Sequence, residues 1–369
     1  MGDLVFGRSF GTLAAKPENR NAIRLLGRAA RRNYVIGAMP FLHKVERWLP
    51  PFRGLSLDRL QYLAFGKQQV VERSQNTSLD SSGRKDIFHH LLGAKDPDTG
   101  EGLPRVELFM EGNTLIVAGS DTSSTTLSAT LYYLLRNPLC LEQVTGEIRS
   151  TFSGKEDIRT GSKLQSCHYL RACVDEAIRM SPAVPGLLPR LVLPGGLDIL
   201  AMNLHIPAGV DVGTCTYAIQ HHGDYIVEPF KYDPSRWLQQ ASSKSQLSHA
   251  RQRSDSGVAL SNPPSEKDAT EPYVSLHQDR EALNSVFAPF SLGNRACLGK
   301  PLVYMEISIA MARLLFQYEM RFVETAPGDA SVKADVLRGR RRADEYYLRD
   351  WFLGANEAPV VEFSAREAF

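Results

Sequence analysis

Between Pro104 and Pro138 the apolar residues recur at helical intervals. They predict one long helix over Pro104 to Asn137, with one proline in its first turn and the other just past its end. The middle of that helix is unusual. The stretch "AGSDTSSTT" puts a glycine and a crowd of Ser, Thr and Asp side chains into a helix interior, where they lower helix propensity and compete for backbone hydrogen bonds. A helix that keeps such residues is expected to have something beside it. Asp121 and the Ser/Thr cluster also make Thr114 to Leu135 a buried helix and not a membrane span.

A second helix is expected from about Ser162 to Met180, with Leu164, Cys167, Leu170, Val174 and Ile178 at helical spacing and Pro182 as its stop. "LLPRLVL" and "LHIPAGVDVGTCTYAI" read as short strands set among turns, "LVYMEISIAMARLLFQYEM" as a helix beginning just past Cys297, and "APVVEF" as a strand. The expected fold is mainly α with small β-sheets. Residues 238 to 282 are rich in Ser, Gln and mixed charge and poor in apolar periodicity, which predicts a flexible surface insertion. It would divide one domain into a core over 1–237 and a segment over 283–369 that holds the cysteine loop, the helix after it and the last β elements.

With 43 basic against 41 acidic residues in 369, no strong field favours nucleic acid or anionic lipid. The five cysteines, Cys140, Cys167, Cys173, Cys215 and Cys297, are odd in number and lack paired metal-ligand spacing, so they read as thiols in a reducing compartment. Cys167 and Cys173 fall on the apolar stripe of the second helix and are expected in the core. The start, "MGDLVFGRSF", has no basic region before an apolar core and is not a secretory signal.

Cys297 is placed differently, in "FSLGNRACLG", at the mouth of a helix starting near Lys300 and Pro301. Exposed backbone N–H groups and the positive helix end there favour a thiolate. Gly293 and Gly299 permit tight backbone close to a flat ligand, and Arg295 could reach a carboxylate on it. A lone cysteine before a helix is ordinarily a buried thiol. The combination points elsewhere: Phe290, Gly293, Arg295, Cys297 and Gly299 fill FxxGxRxCxG, the haem-ligand signature of the cytochromes P450, in which a Cys thiolate binds the iron. At residue frequencies of about 5%, five fixed positions would match by chance about once in ten thousand such chains.

The chain resembles that family further along its length. "AGSDT", Ala118 to Thr122, matches the oxygen-activation segment AGx(D/E)T; "EAIR", Glu176 to Arg179, matches ExxR; and "YDPSRW", with Pro234, Arg236 and Trp237, matches PxRW. The resemblance implies the P450 fold, haem b (iron protoporphyrin IX) held by Cys297, dioxygen as co-substrate, and two electrons that originate from NADPH and arrive through a reductase. It implies a buried network of Glu176, Arg179 and Arg236 that holds the cysteine loop, and propionate contacts from Arg190 and Arg295. Gly119 would let dioxygen approach the backbone, with Asp121 and Thr122 as a proton relay, although a helix threonine can equally bond to its own preceding turn. Substrate contacts would come from Ala118, from Val184, Leu187 and Leu188, and from the turn at Phe352. These are apolar, so a small apolar organic substrate is expected. His221 and His222 stand near a position that contacts the propionate region in related proteins. Adjacent loop histidines are more often solvated, and they stay outside the expected site.

"MGDLVFGRSFG" resembles a stretch found well inside fungal microsomal members, among them benzoate 4-monooxygenase-like and secondary-metabolite hydroxylases. The membrane anchor and first helices are therefore expected to be missing from this chain, the resemblance covering about the C-terminal two-thirds of a complete member. Full-length relatives would sit at the endoplasmic reticulum membrane, and this chain would be a cytoplasmic or peripherally membrane-associated monomer. Two other readings remain at this stage: a catalytically silent haem-binding or interaction fragment, and a haem enzyme that rearranges peroxides or dehydrates oximes. Asp121 and Thr122 argue against the latter, which needs no proton delivery to dioxygen.

Overall fold

The computed structural model describes every residue except 14–19, 47, 77–84, 239–278, 324–341, 343–344, 357–358 and 367–369. In chain order its helices are α1 (Gly2–Phe6), α2 (Asn21–Ala38), α3 (Pro50–Gln75), α4 (Ile87–Gly93), α5 (Arg105–Arg136), α6 (Pro138–Thr151), α7 (Ser162–Gln165), α8 (His168–Met180), α9 (Thr216–Gln220), α10 (Arg280–Val286) and α11 (Lys300–Gln317). The strands are β1 (Arg190–Leu191), β2 (Leu197–Ile199), β3 (Leu204–Ile206), β4 (Asp211–Val212), β5 (Tyr318–Phe322), β6 (Leu348–Trp351), β7 (Leu353–Asn356) and β8 (Val361–Ala365). They pair antiparallel as β1–β4, β2–β3, β5–β8 and β6–β7, four two-stranded sheets among the described residues.

Helix α5 is the axis of the molecule. Its 32 residues span about 48 Å, and its two halves serve different cores. Leu108 and Ile116 pack with Val5, Phe6, Val70 and Phe88. Ala129, Tyr133 and Leu134 pack with α6, α8 and α11 through Ile148, Leu170, Val174, Ile307 and Met311. The polar middle is tolerated because its hydroxyls turn inward on the helix ladder: Thr122 donates to the Ala118 carbonyl at 2.6 Å, Thr126 to Thr122 at 3.0 Å and Thr130 to Thr126 at 2.8 Å.

The second helix is not continuous. It breaks at Ser166 and Cys167 because the start of α8 is capped from another element: the Glu147 carboxylate of α6 accepts the Tyr169 N–H at 2.9 Å and the Leu170 N–H at 2.8 Å. Cys167 and Cys173 are buried as expected. The segment "TYAI", expected as strand, forms the start of α9 instead. Its turn is held by Gln220, whose side-chain amide donates to the Arg179 carbonyl at 2.9 Å while the Gln220 carbonyl accepts from the Arg179 guanidinium at 3.0 Å. Likewise α11 stops at Gln317, and Tyr318–Phe322 pairs with β8 over the full register from Tyr318↔Ala365 to Phe322↔Val361. The expected insertion at 238 to 282 lies almost wholly outside the described residues. Its last residues belong to an ordered element, since the Asp279 side chain caps α10 by accepting the Glu281 N–H at 2.9 Å. Among the described residues no helix is long and apolar enough to cross a membrane.

Candidate active site

The cysteine loop is built from both ends. The Cys297 N–H donates to the Phe290 carbonyl at 2.8 Å, the Ala296 N–H to Gly293 at 3.0 Å and the Lys300 N–H to Cys297 at 3.4 Å as α11 begins, with Pro301 in its first turn. Gly293 sits at φ 67°, in the left-handed region that side chains resist. Gly299 does not, with φ −77°. A Cβ on Gly299 would lie 3.7 Å from Cys297 Sγ, so this glycine keeps the flank of the sulfur clear. Cys297 and Arg295 are exposed, and among the described residues Arg295 has no hydrogen bond or ion pair.

The expected charge network is present and buried. Arg179 grips Glu176 with two hydrogen bonds of 2.8 Å, and Arg236 reaches the same carboxylate at 2.9 Å. Burial alone would raise the Glu176 carboxyl; the two guanidiniums outweigh it and hold the group below the usual carboxylate range. Other guanidinium hydrogens go to backbone carbonyls of Gln220, Pro229, Val227, Glu228 and Lys231. Such a set is expensive to break, since removing one partner of a buried ion pair costs about 3–5 kcal/mol. The Trp237 indole also donates to Glu176 at 2.8 Å, a fourth member that sequence reasoning missed. Its signal was the tryptophan that closes PxRW.

On α5, burial pushes the Asp121 carboxyl up. The Thr122 hydroxyl takes the internal helix bond described above. Ala118 is exposed, and the Met1 side chain packs where a Gly119 Cβ would stand. The segments from which substrate contacts were expected lie side by side. The Gly354 N–H donates to the Ala183 carbonyl at 2.8 Å, Asp350 packs against Gly186, and the Thr125 hydroxyl reaches the Gly354 carbonyl at 3.5 Å. The β6–β7 hairpin therefore joins α5 and the chain just before Leu187 and Leu188. Phe352, at its apex, is exposed and held at φ 75°. Tyr34 of α2, a position the sequence did not flag, hydrogen-bonds to Asp350 at 3.4 Å and packs edge-on against Trp351.

Two placements differ from expectation. Arg190 is exposed on β1 and donates to its own neighbours' carbonyls, Pro189 at 3.0 Å and Leu188 at 3.4 Å. The two histidines part company. His222 is exposed, but His221 is buried and stacked between Tyr217 and Phe230. With Nδ1–H donated to the Tyr217 carbonyl at 2.8 Å, His221 Nε2 finds no hydrogen-bond partner among the described residues.

One exposed cysteine at a helix start, a glycine turn before it and a buried ionic cluster around Glu176 thus sit together in a mainly helical fold. The family profile described as Cytochrome P450 matches residues 1–343, and the chain belongs to that family. It is 34% identical over 99% of its length to the cytochrome P450 monooxygenase apf8 of Gibberella fujikuroi, covering 88% of that protein. It is 35% identical over 98% of its length to the cytochrome P450 monooxygenase AKT7 of Alternaria alternata, covering 63% of it. Its fold is that of the cytochrome P450DA heme domain, with TM-score 0.67 and 19% identity, over 99% of this chain and 65% of that one. The chain thus spans less than two thirds of several proteins it resembles.

The residues fit the haem that the family implies. Cys297 supplies one soft donor without neighbouring metal ligands, no cluster of three or more metal-binding side chains occurring among the described residues. Leu292, Leu298, Leu187 and Phe352 leave large apolar side chains exposed on the cysteine loop, on the chain before β1 and on the β6–β7 hairpin. Apolar groups left in water on these segments are what a flat apolar macrocycle would cover.

Proposed function

We propose that this chain is a haem-thiolate monooxygenase. It inserts one oxygen atom from dioxygen into a small apolar organic substrate and draws two electrons, ultimately from NADPH, through a reductase. The observation that carries this reading is the exposed Cys297 thiol in a loop closed by the Phe290 carbonyl, with the buried Glu176 cluster intact in the same fold. Bound haem supplies the oxygen chemistry, and thiolate ligation favours O–O cleavage.

The chain's own groups do the rest. Cys297 anchors the iron, with Phe290, Gly293 and Gly299 shaping the loop around it. Arg295, and Arg190 once its guanidinium leaves the local carbonyls, pair with the propionates. Asp121, whose burial favours the protonated form, holds a proton at its carboxyl, Thr122 passes it on by turning its hydroxyl away from Ala118, and Gly119 would admit dioxygen to the backbone once the Met1 side chain moves aside. Ala118, Val184, Leu187, Leu188 and Phe352 exclude water and orient an apolar substrate. The names of the fungal relatives support the reaction class, and by the family resemblance the reductase would meet this chain at the endoplasmic reticulum membrane.

The reduced carbon-monoxide difference spectrum of the expressed chain tests this. The band typical of thiolate-ligated haem is expected, and Cys297→Ala should abolish it. A normal spectrum in that variant would overturn the ligand assignment.

A further inference from the structure

Helix α8 holds a second carboxylate beside Glu176. Asp175 is buried, yet it takes no part in the Glu176 cluster. Its Oδ1 accepts the Tyr304 hydroxyl at 2.6 Å, and its Oδ2 accepts Arg171 Nε at 2.8 Å. The Arg171 guanidinium closes the triangle by lying 3.4 Å from the centroid of the Tyr304 ring. Both Asp175 oxygens are thus engaged, as a buried carboxylate requires. Tyr304, on α11, then packs its ring against Phe290 at 5.3 Å, and the Phe290 carbonyl is the acceptor that closes the loop on Cys297 N–H. From Leu292 to Leu298 every loop residue is exposed. The Phe290 ring, packed on the core, is therefore the loop's grip on this side.

We infer that Arg171, Asp175 and Tyr304 form a brace that positions the Phe290 end of the cysteine loop and so fixes where Cys297 presents its sulfur to the haem. This rests on the reading of Cys297 as the iron ligand. The three are positioning residues, since none touches the reacting atoms. The Glu176 cluster and this brace leave the same helix from adjacent residues. The cluster ties α8 to the 229–237 segment, and the brace ties it to α11, whose start closes the cysteine loop. The outer end of the brace is open to water, with the Arg171 side chain 48% exposed.

The test uses the haem-loaded full chain as wild type, Tyr304→Phe, Asp175→Asn and the double variant. Tyr304→Phe keeps the ring on Phe290 and deletes one hydroxyl, so it folds even if Asp175→Asn does not. Two readouts are taken on each protein: the rate at which the thiolate band of the reduced carbon-monoxide spectrum converts to the form without thiolate ligation, and the circular-dichroism melting midpoint. Loss of a hydrogen bond to a charged acceptor is expected to speed conversion about tenfold or more. The melting midpoint should move little, and the double variant should be no faster than the worse single one, as for partners in one unit. Wild-type conversion rates in Tyr304→Phe, or rates that rise only in step with a falling midpoint, would overturn the brace. A wild-type chain that loads haem but lacks the thiolate band would instead overturn the underlying reading of Cys297.

Discussion

His221 is a buried base without a place for a second proton. Desolvation first, and then the nearby Arg179, lower its pKa from 6.5 to about 4, against weaker support from the Tyr217 carbonyl and Glu176; Arg342 adds to the depression, and Glu345 stands 4.0 Å from Nε2. Between those values the unfolded chain binds the proton and the folded chain does not. Stability should therefore fall as pH drops from 6.5 towards 4, by up to about 1.4 kcal/mol per pH unit. Chemical denaturation across that window checks it, and His221→Phe, which keeps the stack with Tyr217 and Phe230, should flatten the slope. An equally steep slope in the variant would place the titration elsewhere. Individual residues were legible in sequence where a spacing rule applied. Glu176, Arg179 and Arg236 announce themselves by ExxR and PxRW, and Cys297 by its loop. Buriedness of one member of a histidine pair has no such spacing, because it depends on which rings the fold delivers to either face. Thr122 shows the converse: its helix-internal bond follows from local geometry and was open as an alternative from the start.

Among the elements, the β6–β7 hairpin depends on a glycine that lies outside it. A Cβ on Gly186 would overlap the Asp350 carboxylate, and that carboxylate cannot swing freely, since it accepts the Phe352 N–H at 3.0 Å and the Tyr34 hydroxyl. Gly186→Ala should displace the hairpin at a cost of about 1–3 kcal/mol. It should alter substrate-induced spectral changes while leaving the thiolate band intact; loss of that band would show that the hairpin and the cysteine loop are coupled. Helices α5 and α11 were readable because their apolar spacing and flanking prolines agree with their tertiary role. The break before α8 was not, because its cause, the Glu147 carboxylate, comes from a residue some twenty positions earlier. The helix at "TYAI" was missed for the same reason: Gln220 bonds to α8 and overrides a β-branched pattern.

At the level of the molecule, α5 runs from one hydrophobic core to another, and the segment with Gly119, Asp121 and Thr122 lies between them. Phe88, fully buried against Val5 and Phe6, belongs to the first core only. Phe88→Ala should cost about 3–5 kcal/mol. Hydrogen exchange should show protection lost in α1, α4 and the first turns of α5 but kept in α8 and α11. Uniform loss across all five would mean that the two cores unfold as one. The family and the mainly helical architecture were legible from motif order alone, whereas this division was not, since it is a property of which helices meet.

The three tryptophans acquire a use from this arrangement. Trp237 is buried and bonded to Glu176, Trp351 in the hairpin meets Tyr34 of α2 edge-on with the Arg31 guanidinium over its ring, and Trp48 is 73% exposed. With Trp48 replaced by Phe, the tryptophan emission of the chain would come only from the Glu176 cluster and from the β6–β7 hairpin. The protein would then carry an unlabelled optical gauge for each of these two regions.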